Sequence, residues 1–150
     1  MNYSAIIEIP KGSDRRIHMS YDMSGFVDLG AIKEQIPVNN GIMPVAYGYL
    51  PSFINKAEGD PVDILVFSCE EYVTGDTTNV EILGMFTRED GDHKILAKDS
   101  SINYESFMDV PGLERKLLLE YFGYKSEITA VDDANKAKDY LNNSEMVSIA

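Results

Sequence analysis

The chain has 150 residues, with 13 Lys plus Arg against 25 Asp plus Glu and a formal net charge of −12. That length carries one domain with a sizeable core, expected over residues 1–150, and the acidic balance argues against a general binder of nucleic acid or anionic membrane. The single Cys69 excludes an internal disulfide framework, and with no signal-peptide pattern and no membrane-length apolar run the expected location is cytoplasmic.

The first two thirds read as strands. Ser4-Ala5-Ile6-Ile7-Glu8-Ile9 alternates as a strand and is stopped by Pro10-Lys11-Gly12-Ser13. Glu8 either faces solvent or lines a polar cavity. Arg15 to Tyr21 and Phe26 to Leu29 flank a turn at Asp22-Met23-Ser24-Gly25 and form a hairpin. Ile36 to Pro51 holds three prolines and reads as irregular; within it, Tyr47-Gly48-Tyr49 is either packing or a phenol offered to an anion.

Glu58-Gly59-Asp60-Pro61-Val62-Asp63 runs into Ile64-Leu65-Val66-Phe67, a run apolar enough for a buried central strand. Pro61 suits its first position and pushes Asp60 to an extended backbone. Three carboxylates this close repel and need a counter-charge. Either they form a solvated acidic loop, or they bind a divalent metal, of which Mg²⁺ prefers oxygen ligands.

Asn79 to Phe86 is a further strand, and Asp90-Gly91 marks a hairpin turn. Beyond it Asp92 and Lys94, two apart, are expected on one strand face; the bland alternative is a charged hairpin tip. The acidic spacing is not that of an EF-hand. The last third changes period. Pro111 fits a first helical position, Leu113, Leu117, Leu118 and Tyr121 form a stripe, and Gly123 is a stop. Asp132 or Asp133 caps a second helix, Ala134 to Leu141, and the tail after Asn142 is expected to fray. Strands followed by two helices predict a small antiparallel barrel with appended helices, or an open α+β sheet.

Read together, several stretches resemble the soluble family I inorganic pyrophosphatases. They are Ile7-Glu8-Ile9-Pro10-Lys11-Gly12-Ser13, Tyr47-Gly48-Tyr49, Gly59-Asp60-Pro61-Val62-Asp63, Asp92-His93-Lys94 and Phe122-Gly123-Tyr124-Lys125. The order is the family's, from Ala5 to Lys125. The resemblance implies a mainly β fold, a closed OB-like five-stranded barrel with two C-terminal helices, whose mouth binds Mg²⁺ and hydrolyses pyrophosphate to two phosphates. It implies Glu58, Asp63 and Asp92 as metal ligands, and Asp60 as acceptor of the proton of the attacking water. Arg16, Lys94, Tyr47, Tyr124 and Lys125 would hold phosphate oxygens, with Lys94 and Tyr47 close to the chemistry, and Glu8 would stand behind the ligands. It also implies a homo-oligomer.

The chain departs from the family pattern at named places. Glu58 stands where the family has Asp, and Leu29 where it has a phosphate-gripping Arg. His18 replaces a carboxylate of the second strand. The hairpin before Asp92 is short, so Asp90 or Glu89 is left to serve as the remaining acidic ligand, with Asp90 expected in that place. Two functions follow: Mg²⁺-dependent pyrophosphate hydrolysis, slow or shifted in substrate, or a non-catalytic module binding Mg²⁺ and phosphate compounds.

Overall fold

The computed structural model describes residues 3–20 and 24–144. Its strands are β1 (Tyr3–Ile9), β2 (Arg15–Met19), β3 (Phe26–Ala31), β4 (Ala46–Ile54), β5 (Pro61–Phe67), β6 (Thr77–Arg88), β7 (Lys94–Lys98) and β8 (Ile128–Asp133). Its helices are α1 (Gly112–Phe122) and α2 (Ala134–Asn142). Tyr21, Asp22, Met23 and the tail beyond Ser144, on which part of the first hairpin and the expected fraying fall, lie outside the described residues.

Strand β5 is as apolar as its sequence promises: Val62, Ile64, Leu65 and Val66 are buried on alternating faces. It pairs with β4 on one side and β7 on the other, and the order β1-β4-β5-β7-β6 closes through a β1–β6 pairing into a five-stranded barrel. Closure removes the free edges that an open sheet of these strands would expose. β2 and β3 form a separate two-stranded hairpin.

Four features differ from the sequence reading. Tyr47-Gly48-Tyr49 lies on β4, not in irregular chain. Its two proline neighbours misled the reading; Pro51 falls inside the stretch where the β4–β5 register slips, between Leu50 and Ile54. The Gly48 position has a steric cause, because a Cβ there would lie 1.9 Å from the Ile6 carbonyl oxygen of β1. Second, β5 and β7 run parallel, since β7 hairpins back from β6 and inserts beside β5. Third, β8 was not anticipated; it extends the sheet from the outer side of β6, and its half-exposed mixture of residues carries little alternation. Fourth, Leu113 is 86% exposed, so the buried stripe of α1 is Leu118, Tyr121 and Phe122. Pro111 is the N-cap of α1, one residue earlier than expected, and Gly123 its C-cap. Asp133 caps α2, its carboxylate accepting from the Lys136 N–H at 3.0 Å.

The strands divide their side chains between two cores. Val62, Ile64, Val66, Ile95 and Ala97 pack with Ala137 and Leu141 of α2. Leu65, Phe67, Phe86 and Leu96 pack with Leu118, Tyr121 and Phe122 of α1. The second core matters for function. Two residues away from Leu65, Leu96 and Phe86, towards the same barrel end, the same strand faces carry Asp63, Lys94 and Arg88. The apolar rows of this core therefore end in charge at one mouth of the barrel.

Candidate active site

A cleft of about 810 Å³ opens at that mouth, between the barrel end, the β2–β3 hairpin and the end of α1. Of the residues singled out from sequence, Glu8, Arg16, His18, Tyr47, Glu58, Asp60, Asp63, Asp90, Asp92, Lys94 and Lys125 all line it. Tyr124 does not. It is half exposed and lines a neighbouring groove of about 840 Å³ with Gly123, Ser126 and β8.

Lys94 is the centre of the arrangement. Its side chain is buried, and Nζ donates to Asp63 at 2.7 Å, to Asp92 at 3.1 Å and to the Tyr47 hydroxyl at 2.9 Å. Burial pulls the ammonium's pKa down, but Asp63 and Asp92 more than offset this and hold it above the ordinary lysine value. Tyr47 is stacked on Phe122 at 5.7 Å, and burial together with the Asp63 and Asp92 charges raises its phenol far above the usual range. Tyr47 therefore stays protonated. Asp92 reaches Lys94 as expected, but from the turn before β7, which begins at Lys94 itself.

Two loops carry the remaining acids, and Asn55 joins them. Its buried amide donates to the Gly91 carbonyl at 3.2 Å and accepts from the Ala57 N–H at 2.9 Å. Its backbone also bonds Asp60 and Gly59, at 2.7 Å each, which folds the acidic stretch back on itself. The partner turn needs Gly91, whose φ is +80°. In consequence Glu58, Asp90 and Asp92 bring carboxylate oxygens within 4.8 Å of one another. All-oxygen anionic donors at this spacing fit a hard divalent cation, and the Lys94 ammonium between Asp63 and Asp92 shows that the mouth already holds a cation.

Glu8 is buried, which decides between its two readings: it faces the cleft, not solvent. Its carboxyl accepts the Met19 N–H at 2.7 Å and lies 3.7 Å from His18 Nδ1. Burial raises its pKa to about 7, against the lowering effect of the Met19 bond. His18 is pushed down, first by burial and then by Arg16 and Lys94. Alternation separates Arg15, which pairs outside with Asp28 at 3.0 Å, from Arg16, which lines the cleft. Lys125 hydrogen-bonds the Gln35 side chain across the cleft mouth. Leu29 lines the cleft and is half exposed.

The sequence profile described as inorganic pyrophosphatase matches residues 5–149. The chain belongs to the inorganic pyrophosphatase family. It is 32% identical over 130 residues to an inorganic pyrophosphatase of Thermus thermophilus, covering 81% of this chain and 70% of that one. It is 28% identical to that of Nanoarchaeum equitans, covering 99% and 93%. Among solved structures, the inorganic pyrophosphatase of Ehrlichia chaffeensis superposes with a TM-score of 0.83 at 21% identity, covering 95% of this chain and 92% of that one. That of Coxiella burnetii superposes with a TM-score of 0.80 at 23% identity, covering 95% and 92%. The fold is thus the five-stranded barrel with two helices that the pyrophosphatase resemblance implies.

The cleft of this pyrophosphatase-family chain also contains residues to which the sequence reading gave no role. Arg88 is buried at the end of β6 with its guanidinium beside Asp90 and Asp92. The signal was available, because Arg88 shares the face of Phe86 two residues before it. Asn55 carried no signal; its amide acts only once two distant loops meet. The Tyr49 hydroxyl is buried on the cleft wall without a hydrogen-bond partner among the described residues.

Proposed function

We propose that this chain hydrolyses inorganic pyrophosphate to two phosphates with Mg²⁺. One observation supports the reading most: a buried lysine clamped between two aspartates, one of which belongs to a carboxylate trio with Glu58 and Asp90, in one cleft. A phosphoric anhydride is polyanionic, so an acidic chain can hold it only with local cations.

Glu58, Asp90 and Asp92 would hold a divalent ion, with Asp63 at the opposite side of Lys94. When bound, such an ion neutralises phosphate charge and makes a water more acidic. The chain's own residues do the rest. Asp60, in the bend before Pro61, accepts the proton of the attacking water. Lys94 and the protonated Tyr47 phenol donate to phosphate oxygens from the floor, and Arg16 and Lys125 donate from the walls. Glu8 fixes the β2 backbone through Met19 and thereby the wall that carries Arg16. The single cysteine suits a cytoplasmic setting, and the assembled protein is a homo-oligomer in this reading. Among the described residues no helix is long and apolar enough to cross a membrane.

The test is phosphate release from pyrophosphate, short polyphosphate and nucleoside triphosphates with Mg²⁺, against the Asp60→Asn variant. Release that is fastest from pyrophosphate and lost in the variant supports the reading. No release from any anhydride, while Mg²⁺ still raises the melting temperature, replaces it with a binding module.

A further inference from the structure

We propose that Arg88 is a built-in counter-cation of the acidic mouth, occupying electrostatically the place of one divalent ion. The inference rests on the metal reading of Glu58, Asp90 and Asp92.

The side chain of Arg88 is 8% exposed. Its two terminal nitrogens face the acids: Nη2 lies 3.7 Å from the Asp90 carboxylate and Nη1 lies 3.6 Å from that of Asp92. Nη1 also donates to the Asp92 carbonyl at 3.2 Å, and Nε is buried with no hydrogen-bond partner among the described residues. A guanidinium is costly to bury, and an unpaired N–H adds to that cost, so packing alone is a poor reason for arginine here. The backbone holds it in place. The Arg88 N–H donates to His93 Nδ1 at 2.9 Å, and its carbonyl accepts from Gly91 at 3.1 Å.

The two carboxylate contacts are longer than hydrogen bonds. Arg88 therefore neutralises Asp90 and Asp92 without tying up their oxygens. Those same two residues, with Glu58, make up the carboxylate trio. A permanent positive charge at this point competes with a divalent ion for the same negative charge. It also lets the two loops hold their geometry before any ion arrives. Arg88 is thus a positioning residue that lowers the number or the affinity of the ions the mouth takes up.

The experiment counts Mn²⁺ on the full chain without pyrophosphate, using the free-ion EPR signal and calorimetry. Arg88→Gln should bind one more Mn²⁺ per chain, or the same number about 10-fold more tightly, roughly the effect of removing one like charge near the ion. Arg88→Lys keeps the charge and should match wild type. Equal or weaker binding by Arg88→Gln overturns the proposal, as does an Arg88→Lys that behaves like Arg88→Gln. If Arg88→Gln folds only when Mn²⁺ is added, the ion is replacing the guanidinium and the proposal stands. If it folds at no Mn²⁺ concentration, an ion cannot do the guanidinium's work and the proposal falls. If neither wild type nor variant binds Mn²⁺, the metal reading fails first and this inference with it.

Discussion

Asp63 and Lys94 stand opposite each other in the parallel β5–β7 pair, and the ammonium nitrogen lies 2.7 Å from the carboxylate. Both side chains point along rows that continue inward as Leu65 and Leu96, so the ion pair seals the polar end of a core. Lys94→Ala leaves Asp63 and Asp92 facing each other with no ammonium between them. It should cost about 3–5 kcal/mol of unfolding free energy in EDTA, the usual effect of removing one partner from a buried pair. It should also lower kcat/KM for pyrophosphate by roughly 10²-fold through lost phosphate contact. Denaturant melts and steady-state kinetics check the two effects. An unchanged melt would show that the carboxylates are relaxed by water alone.

Glu8 gives the protein a pH dependence of defined sign. Its carboxyl goes from an ordinary 4.5 to about 7 on folding, chiefly through burial. The folded state therefore holds a proton that the unfolded state has lost across this interval. Stability from this group is present below about pH 4.5 and is lost as pH rises through about 7, a change of roughly 3 kcal/mol. Glu8→Gln cannot ionise and should be more stable than wild type at pH 8 in EDTA, with the two converging near pH 4.5. Urea melts at several pH values check this, and parallel curves for the two proteins would contradict it.

Asp60 lines the cleft but lies outside the carboxylate trio. Asp60→Asn should reduce kcat about 10²–10⁴-fold, the usual range for loss of a general base. Its Mn²⁺ affinity should stay within about threefold of wild type, while Asp92→Asn should lose affinity about 10-fold or more, as removal of a charged ligand does. Turnover at saturating Mg²⁺ and metal titrations separate the two roles. Wild-type turnover in Asp60→Asn would remove it from the chemistry.

Asn55 acts at a distance from substrate. Asn55→Ala should cost about 1–3 kcal/mol, since the Gly91 carbonyl and Ala57 N–H lose a buried partner. The loss should appear in the metal concentration needed for half-maximal rate more than in kcat at saturating metal, because Glu58 drifts from Asp90 and Asp92. A variant whose metal dependence is unchanged would show that the two loops hold each other without the amide.

How far the site was legible depended on the distance between the residues concerned. Glu58, Asp60 and Asp63 lie within one short stretch, and Asp92 and Lys94 within another, so their chemistry could be proposed from local spacing and family resemblance. Their meeting at one mouth followed from the resemblance alone, not from local spacing. It needs the parallel β5–β7 register, whereas neighbouring strands in sequence suggested antiparallel pairing throughout. Tyr124 differs from these, because its motif is intact while its side chain lines the next groove.

By itself the sequence determined the apolar strand β5, the turn at Gly91, the Gly123 stop of α1, the aspartate pair that caps α2 and the charge types gathered at the mouth. Each of these follows from residues a few positions apart, through alternation, backbone freedom and local hydrogen bonding. Only the tertiary structure decided which carboxylates share a cation and that Glu8 is buried and raised in pKa. Burial and through-space charge depend on contacts between residues tens of positions apart, and those exist only after the barrel has closed.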